Sequence, residues 1–250
     1  RIIPHKQGWL NFLKDGDLIF KPSELHQILR QVISQNPPRG EKLFYLRKVN
    51  HFTVTDEKEA YRPEEALERF ITTSNADNFY NQVPIGGGKE SIDIGIEENG
   101  TKFIFVELKP WSSTNSPLYA IVESLKNLIE YRAIQNDERK AIKRHKYFKD
   151  YDDKVDLIIL APLSYYQDYG LIEIANDKIS TMKNILNAFS SEFNTNISLM
   201  ALTLKKEDFE NKIKKICEEH KVEKQLSISI SKSDAIAELA RDKWELLVSS

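Results

Sequence analysis

Hydrophobic residues recur along the chain with two spacings, which predict where helices and strands lie. Apolar positions three and four residues apart predict helices over Ser23 to Ser34, from Pro63, from Pro117 and over Ile179 to Phe193. Alternating or continuous apolar runs predict strands over Leu43 to Val54, Phe79 to Ile85, Ser91 to Glu97, Thr101 to Lys109, Val155 to Pro162 and Ile197 to Leu204. A charged, helical segment is expected from Lys205 on, with a further helix over Asp234 to Leu247.

The middle of the chain therefore runs α-β-β-β-α-β, followed by α-β. This order predicts an α/β protein with a mixed sheet flanked by helices. The 250 residues suffice for one large domain, or for a core with an added module. We expect an N-terminal extension over residues 1–60, a core over 61–204 and a C-terminal helical segment over 205–250.

Charge and cysteine content narrow the functional classes. There are 38 acidic and 36 basic residues, which excludes a globally basic DNA-binding profile but leaves room for one local nucleic-acid patch. The single cysteine, Cys217, excludes an internal disulfide and a cysteine-rich zinc site, and it fits a reducing cytoplasm. No apolar run approaches the roughly 18 residues of a membrane helix, so we expect no membrane partner.

Three charged residues stand in otherwise apolar strands. Asp93 interrupts a run of isoleucines, while Glu107 and Lys109 close a run of Phe, Ile and Val. Glu107 and Lys109 are two residues apart and so point to the same side of their strand. Buried charges must be paired, solvated or bound to a metal.

The turn near Asn99-Gly100 decides whether Asp93 joins them. A two-residue loop would place residue 93 opposite 106 and turn Asp93 away from Glu107. A three-residue loop over 98–100, with Gly100 left-handed, would pair 93 with 105 and bring all three charges to one face. A bulge nearer Asp93 would do the same, and we expect one of these two arrangements.

Two carboxylates and a lysine on one face have a plain chemical use. The carboxylates suit a hard cation, Mg²⁺ with Mn²⁺ as its substitute, which polarises a phosphodiester and activates water. The lysine positions or helps to deprotonate that water, or it neutralises charge that develops on the phosphate. The competing interpretation is a structural ion pair at the edge of the sheet.

The step from Asp93 to Glu107-Leu108-Lys109, within the order α-β-β-β-α-β, resembles the PD-(D/E)XK nuclease superfamily, whose fold is restriction-endonuclease-like. The resemblance covers about 100 to 140 residues, and Ile92 stands where the family has a proline. It implies Asp93 and Glu107 as metal ligands, the Leu108 backbone carbonyl as a further ligand, and Lys109 as the catalytic cation.

The same resemblance implies roles for residues on two helices. Glu68 matches the family's acid on the first helix, with Glu65 as the competing candidate. Asn127 and Tyr131 keep the spacing of the Gln-x-x-x-Tyr motif, with Asn for Gln, and would position the substrate. On family grounds the substrate is DNA rather than RNA, and such enzymes often form homodimers.

Two further segments carry positive charge. Gly86 to Lys89 leads into a strand and lacks the Ser or Thr of a phosphate-binding loop, so we interpret it as a hairpin connection from which Lys89 contacts phosphate. A cationic stretch with interleaved aromatics suits phosphate contact and base stacking, or else is simply a solvated connection. Its candidate contact residues are Arg139, Lys140, Lys143, Arg144 and Lys146.

The sequence thus predicts a metal-dependent nuclease acting on phosphodiester bonds. The alternative is a non-catalytic nucleic-acid-binding or assembly module that retains the fold. Salt-sensitive DNA binding without metal-dependent turnover would distinguish the alternative.

Overall fold

The fold is taken from a computed structural model of the chain. It describes residues 12–14, 17–35, 46–55, 60–75, 77–85, 91–135, 155–172, 177–220 and 226–250. Two of the sequence-predicted contact groups, Lys89 and the cationic stretch from Arg139 to Lys146, lie outside these residues.

A mixed six-stranded sheet forms the centre of the molecule. Its six strands are β5 (Phe79–Pro84), β6 (Ser91–Glu98), β7 (Lys102–Leu108), β8 (Val155–Pro162), β9 (Ile197–Leu202) and β11 (Glu245–Ser249). Their spatial order is β11-β9-β8-β7-β6-β5. Strands β7, β8 and β9 run parallel, while β5, β6 and β11 pair antiparallel with their neighbours.

Two small sheets accompany the central one. Their strands are β1 (Leu13–Lys14) with β2 (Asp17–Leu18), and β3 (His51–Thr55) between β4 (Ala60–Tyr61) and β10 (Leu226–Ser229). Because β10 pairs with β3 and β11 pairs with β9, the C-terminal segment is joined both to the N-terminal extension and to the core.

Helices cover both faces of the central sheet. They are α1 (Pro22–Gln35), α2 (Pro63–Ser74), α3 (Pro117–Gln135), α4 (Leu163–Asp168), α5 (Asp177–Phe193) and α6 (Lys206–Glu219). The first hydrophobic core lies between the sheet and α1, α3 and α5. The second lies on the opposite face, beneath α2 and α6. Proline in the first turn suits the starts of α2 and α3, because its missing N–H would have no partner there.

The predicted order α-β-β-β-α-β is confirmed by α2, β5, β6, β7, α3 and β8 among the described residues. The protein is a mixed α/β fold with helices on both sides of a mixed sheet. No helix in the described part of the chain combines the length and apolar character that crossing a bilayer requires.

The helix predicted over Asp234 to Leu247 is wrong. The segment forms three 3₁₀ turns, Lys232–Asp234, Ala237–Leu239 and Arg241–Lys243, before β11. Its backbone instead bonds to the end of α2, where the Ile236 amide donates to Ser74 and the Arg241 amide donates to Asn75. These tertiary hydrogen bonds override the helical spacing of the apolar residues.

Candidate active site

The β6–β7 hairpin sets the position of the acidic residues. Asn99 and Gly100 both have left-handed backbones, with φ of 53° and 73°, and the Thr101 amide donates to the Glu98 carbonyl. A two-residue turn alone would pair 98 with 101, but the additional residue Thr101 makes Glu98 pair with Lys102. The loop is therefore 99–101, not the predicted 98–100, and this register brings position 93 opposite 107.

Asp93 lies where β6 and β7 separate. The pairing of the two strands ends at Ile94 and Val106, and beyond it the Leu108 amide donates to Asp93 Oδ2 over 2.8 Å. The carboxylate thus takes the place of a backbone carbonyl on the neighbouring strand. In an extended strand the N–H and C=O of one residue are directed to the same neighbour, so the Leu108 carbonyl is on the β6 side of β7.

Lys109 lies between two glutamates at the end of β7. Its Nζ is 2.5 Å from Glu107 Oε1 and 3.1 Å from Glu123 Oε2 on α3. Glu107 and Lys109 are 6% and 4% exposed, so this ion pair is almost fully withdrawn from solvent. The structure therefore brings Asp93, Glu107 and Lys109 together, as the strand pattern predicts.

Helix α2, on the face of the sheet opposite to α3, contributes the carboxylates of Glu64 and Glu68. Glu68 is buried and bonds to Arg69, whose Nη1 lies 2.5 Å from Glu68 Oε1 and whose Nε donates to the His51 carbonyl. Glu64, one turn earlier, opens onto the groove beside Asp93. Glu65, the competing candidate for Glu68, instead lies 3.7 Å from Arg69 Nη2.

The pKa values of the clustered acids are raised, chiefly by burial and to a smaller extent by neighbouring carboxylates. Burial raises the pKa of Asp93 to about 7, with Lys109 opposing the shift and Glu64 adding to it. Burial also raises the pKa of Glu107, again against Lys109 and with help from Asp93 and Glu123. The pKa of Glu68 rises to about 9 through burial, despite Arg69. Protonation, or pairing with a cation, offsets the cost of burying these carboxylates.

For Lys109, burial and the neighbouring charges shift the pKa in opposite directions. Burial alone would lower its pKa, but the neighbouring carboxylates of Glu107, Glu123 and Asp93 outweigh burial and hold the pKa well above its ordinary value. The side chain therefore stays an ammonium. As an ammonium it can neutralise charge and donate hydrogen bonds, and the raised pKa disfavours the role in deprotonating water that the sequence also allows.

A groove of about 870 Å³ opens beside the cluster. Glu64, Glu68 and Asp93 line one part of it. The loop after β7, residues 112–115, lines another part with hydroxyl and amide groups. Tyr165 and Tyr169 hold this loop by donating to the carbonyls of Asn115 and Thr114, over 2.7 and 3.1 Å.

The two residues predicted to position substrate lie further along α3. Tyr131 is completely buried, its ring packs edge-on against Phe105, and its hydroxyl accepts a hydrogen bond from Gln135. Asn127 lies one turn before it and is 7% exposed. These contacts place Tyr131 in the first core, so its role in substrate positioning stays a prediction.

Two members of the cluster were not singled out from the sequence. Glu123 follows Lys109 by fourteen residues on an amphipathic helix, and nothing in its local pattern separates it from other helix-surface acids. Glu64 has a weak signal, because it stands with Glu65 in the first turn of α2, where acidic residues favour the helix dipole. Their proximity to Lys109 depends on how α2 and α3 pack against the sheet.

The donor set suits Mg²⁺. The described residues hold no group of three or more Asp, Glu, His or Cys side chains already arranged as metal ligands. Mg²⁺, however, is usually held by one or two carboxylates and keeps several waters. Asp93 and Glu107 could supply two such carboxylates, and the Leu108 carbonyl could supply a further oxygen.

Comparisons of the chain with protein-family models, curated proteins and solved structures found no match. The resemblance to PD-(D/E)XK nucleases therefore stays a prediction from the residues themselves.

Proposed function

We propose that this protein is a Mg²⁺-dependent nuclease that hydrolyses phosphodiester bonds, with DNA as its substrate and a restriction-endonuclease-like core. The observation that carries the proposal is that the Asp93, Glu107 and Lys109 side chains interact at one end of the sheet, where Asp93 also lines a groove. A purely structural ion pair would need one carboxylate for Lys109, whereas four carboxylates interact with it or with one another here.

Each residue has a defined task in the proposed reaction. Asp93 and Glu107 would hold the metal, and the Leu108 carbonyl would complete the protein's share of the ligands. A bound Mg²⁺ supplies Lewis-acid polarisation of the phosphodiester and lowers the pKa of water. Lys109, kept cationic by Glu107 and Glu123, donates to the attacking water or to a phosphate oxygen and neutralises charge that develops there.

The groove supports a polyanionic substrate in a specific way. Its acidic part lies where the cation would bind, and its neutral part offers the hydroxyl and amide groups of residues 112–115. Neutral donors bind phosphate oxygens without further charge, as serine, threonine and asparagine do in many nucleic-acid complexes. A strand running through the groove would pass from these donors to the metal ligands.

The test is cleavage of plasmid DNA and of single- and double-stranded oligonucleotides, with Mg²⁺, with Mn²⁺ and with a chelator. Lys109→Ala should lower the rate by at least about 10²-fold, the usual effect of removing a charge-stabilising group. Asp93→Asn, which keeps the shape of the side chain, should do the same. Lys102→Ala is the matched control, because Lys102 begins the same strand and pairs on the surface with Asp156.

Folding of each variant is checked by circular dichroism, since Lys109→Ala leaves Glu107 and Glu123 without their buried cation. Activity equal to wild type in a folded Lys109→Ala protein contradicts the proposal. DNA binding that weakens with salt, without metal-dependent cleavage, would favour the non-catalytic module instead.

A further inference from the structure

Gln82 has an unusual backbone conformation inside a strand. Its φ is 46°, and the other described non-glycine residues with positive φ are Asn99 and Asn194. Asparagine tolerates the left-handed region, whereas glutamine adopts it rarely. Gln82 lies in the middle of β5 and lines the groove together with Asp93. Such strain persists only where surrounding contacts enforce it.

Arg47 supplies these contacts. Its Nε donates to the Gln82 carbonyl over 2.7 Å, and its Nη2 donates to Gln82 Oε1 over 3.1 Å. The preceding residue, Asn81, is fully buried and bonds to both the amide and the carbonyl of Val49, each over 2.7 Å. Asn81 also donates to Thr72 on α2, the helix that carries Glu64 and Glu68. The bend at Gln82 is therefore fixed from two sides.

The bend coincides with Asp93. In the β5–β6 ladder, Asn81 pairs with Ile94 and Val83 pairs with Ile92, so Gln82 and Asp93 are the positions skipped between them. Residues two apart on a regular strand share a face. Here they do not, because Ile94 belongs to the second core and Ile92 to the first. Both strands thus rotate about their axes at the same level.

The rotation explains where the Asp93 carboxylate points. A regular β6 would direct the side chain of residue 93 to one face of the sheet and offer a backbone carbonyl to Leu108. Because β6 is rotated, the Leu108 amide donates instead to the Asp93 carboxylate, over 2.8 Å. Asp93 consequently lies in the gap between β6 and β7, where it interacts with Glu68 from α2 and with Lys109 from β7.

We propose that Gln82, held in its left-handed conformation by Arg47, is a positioning residue that places the Asp93 carboxylate between β6 and β7. The importance of this placement for catalysis rests on the proposed nuclease function. The placement of Asp93 does not depend on that function, because it can be measured through the hydrogen bond from the Leu108 amide to Asp93.

The experiment is amide hydrogen exchange on the full chain without added metal. Lys109 provides an internal control, because its amide is adjacent in sequence but donates to the Leu160 carbonyl on the other neighbouring strand. Gln82→Val opposes a positive φ through its branched side chain, whereas Gln82→Gly accepts it without strain. Asp93→Ala removes the acceptor of the Leu108 hydrogen bond and shows how much protection from exchange that bond provides.

In Gln82→Val and in Asp93→Ala, the Leu108 amide should exchange on the order of tenfold faster than in wild type, while the Lys109 amide changes little. Gln82→Gly should keep wild-type protection at both amides. If Gln82→Val does not fold, Arg47→Met, which retains the aliphatic stem but no donors, is judged by the same two amides. Unchanged Leu108 protection in the folded variant overturns the proposal, as does unchanged protection in Asp93→Ala.

Cleavage assays on the same proteins separate this inference from the proposed function. Gln82→Val should lower kcat about tenfold with KM little altered, because misplacing the Asp93 carboxylate affects the reaction more than it affects binding of the nucleic-acid strand. Gln82→Gly should have a kcat close to that of wild type. A wild-type protein without nuclease activity defeats the proposed function, while the Leu108 and Lys109 amides still decide the placement of Asp93.

Discussion

Glu123 on α3 lies 3.1 Å from the Lys109 ammonium at the end of β7. This contact joins the strand that carries the Glu-Leu-Lys triplet to the helix that follows it. Glu107 contacts the same ammonium, and the two glutamates together hold the pKa of Lys109 above its ordinary value. In the proposed reaction such a cation would stabilise charge developing on a phosphate bound next to Asp93, which lines the groove.

Removal of the Glu123 charge should therefore lower activity. We expect Glu123→Gln to reduce kcat by about 10- to 100-fold, the usual range for a residue that orients a catalytic group. Initial rates of DNA cleavage over a range of substrate concentrations measure the effect. Glu219→Gln is the control, because Glu219 is an exposed helix residue that pairs only loosely with Lys215 at 3.9 Å. Equal rates in both variants would show that Glu123 does not act on Lys109.

Stability without divalent ions should fall as the pH rises. Because the pKa of Asp93 is raised from 3.8 to about 7, the folded protein binds this proton more tightly than the unfolded chain does. The stabilisation is complete below pH 4 and disappears as the pH passes 7. Glu68, with a pKa of about 9, extends the decline to higher pH. Urea unfolding at pH 5, 6, 7 and 8 measures it.

Asp93→Asn separates the contribution of Asp93 from that of the other acids. The variant should flatten the part of the stability curve between pH 5 and 7, because the amide does not titrate. A curve parallel to wild type would mean that the Asp93 carboxylate is not desolvated in the folded protein.

Mg²⁺ should stabilise the protein more at pH 8 than at pH 5, because protons compete for the same carboxylates. At a concentration ten times its Kd, the ion adds about 1.4 kcal/mol to the free energy of unfolding. For a chain of this size, that corresponds to a Tm increase of about 3–6 °C. Thermal denaturation with MgCl₂, against NaCl of equal ionic strength, measures the shift. A Tm increase that survives in Asp93→Asn would place the ion elsewhere.

Gly95 should not accept even a methyl group. A Cβ built on Gly95 would lie 2.4 Å from the Phe103 ring and 3.2 Å from Val83. We expect Gly95→Ala to lower the free energy of unfolding by about 1–3 kcal/mol, the usual cost of overpacking a core. Urea unfolding measures the loss. The double variant Gly95→Ala, Phe103→Leu should recover part of it, and purely additive losses would mean that the ring is not the obstacle.

The order of helices and strands around the site follows from the sequence, because long apolar runs and a strong turn signal define it. The placement of Asp93 follows only in part. Because side chains alternate between the faces of a strand, the sequence shows that one extra residue in the turn puts Asp93 on the same face as Glu107. It does not show that Thr101 is that extra residue. Glu64 and Glu123 reach Lys109 through the packing of two helices, and no local pattern encodes such packing.

The failed helix prediction over Asp234 to Leu247 has a similar cause. Alanine, isoleucine and leucine at helical spacing favour a helix locally. The hydrogen bonds offered by Ser74 and Asn75 at the end of α2 favour short turns instead, and Trp244 packs against Phe79. Only the folded arrangement of α2 and β5 makes these partners available.

The pairing of β3 with β10 has a consequence for synthesis of the chain. Residues 51–54 can pair with 226–229 only after residue 229 has left the ribosome, when the intervening segment has already been made. The end of α2 gains its bonds from residues 236–241 later still. Contacts this distant in sequence slow folding. The helix that carries Glu64 and Glu68 therefore gains its last hydrogen bonds only once residue 241 has been made, and a polypeptide that ends earlier lacks them.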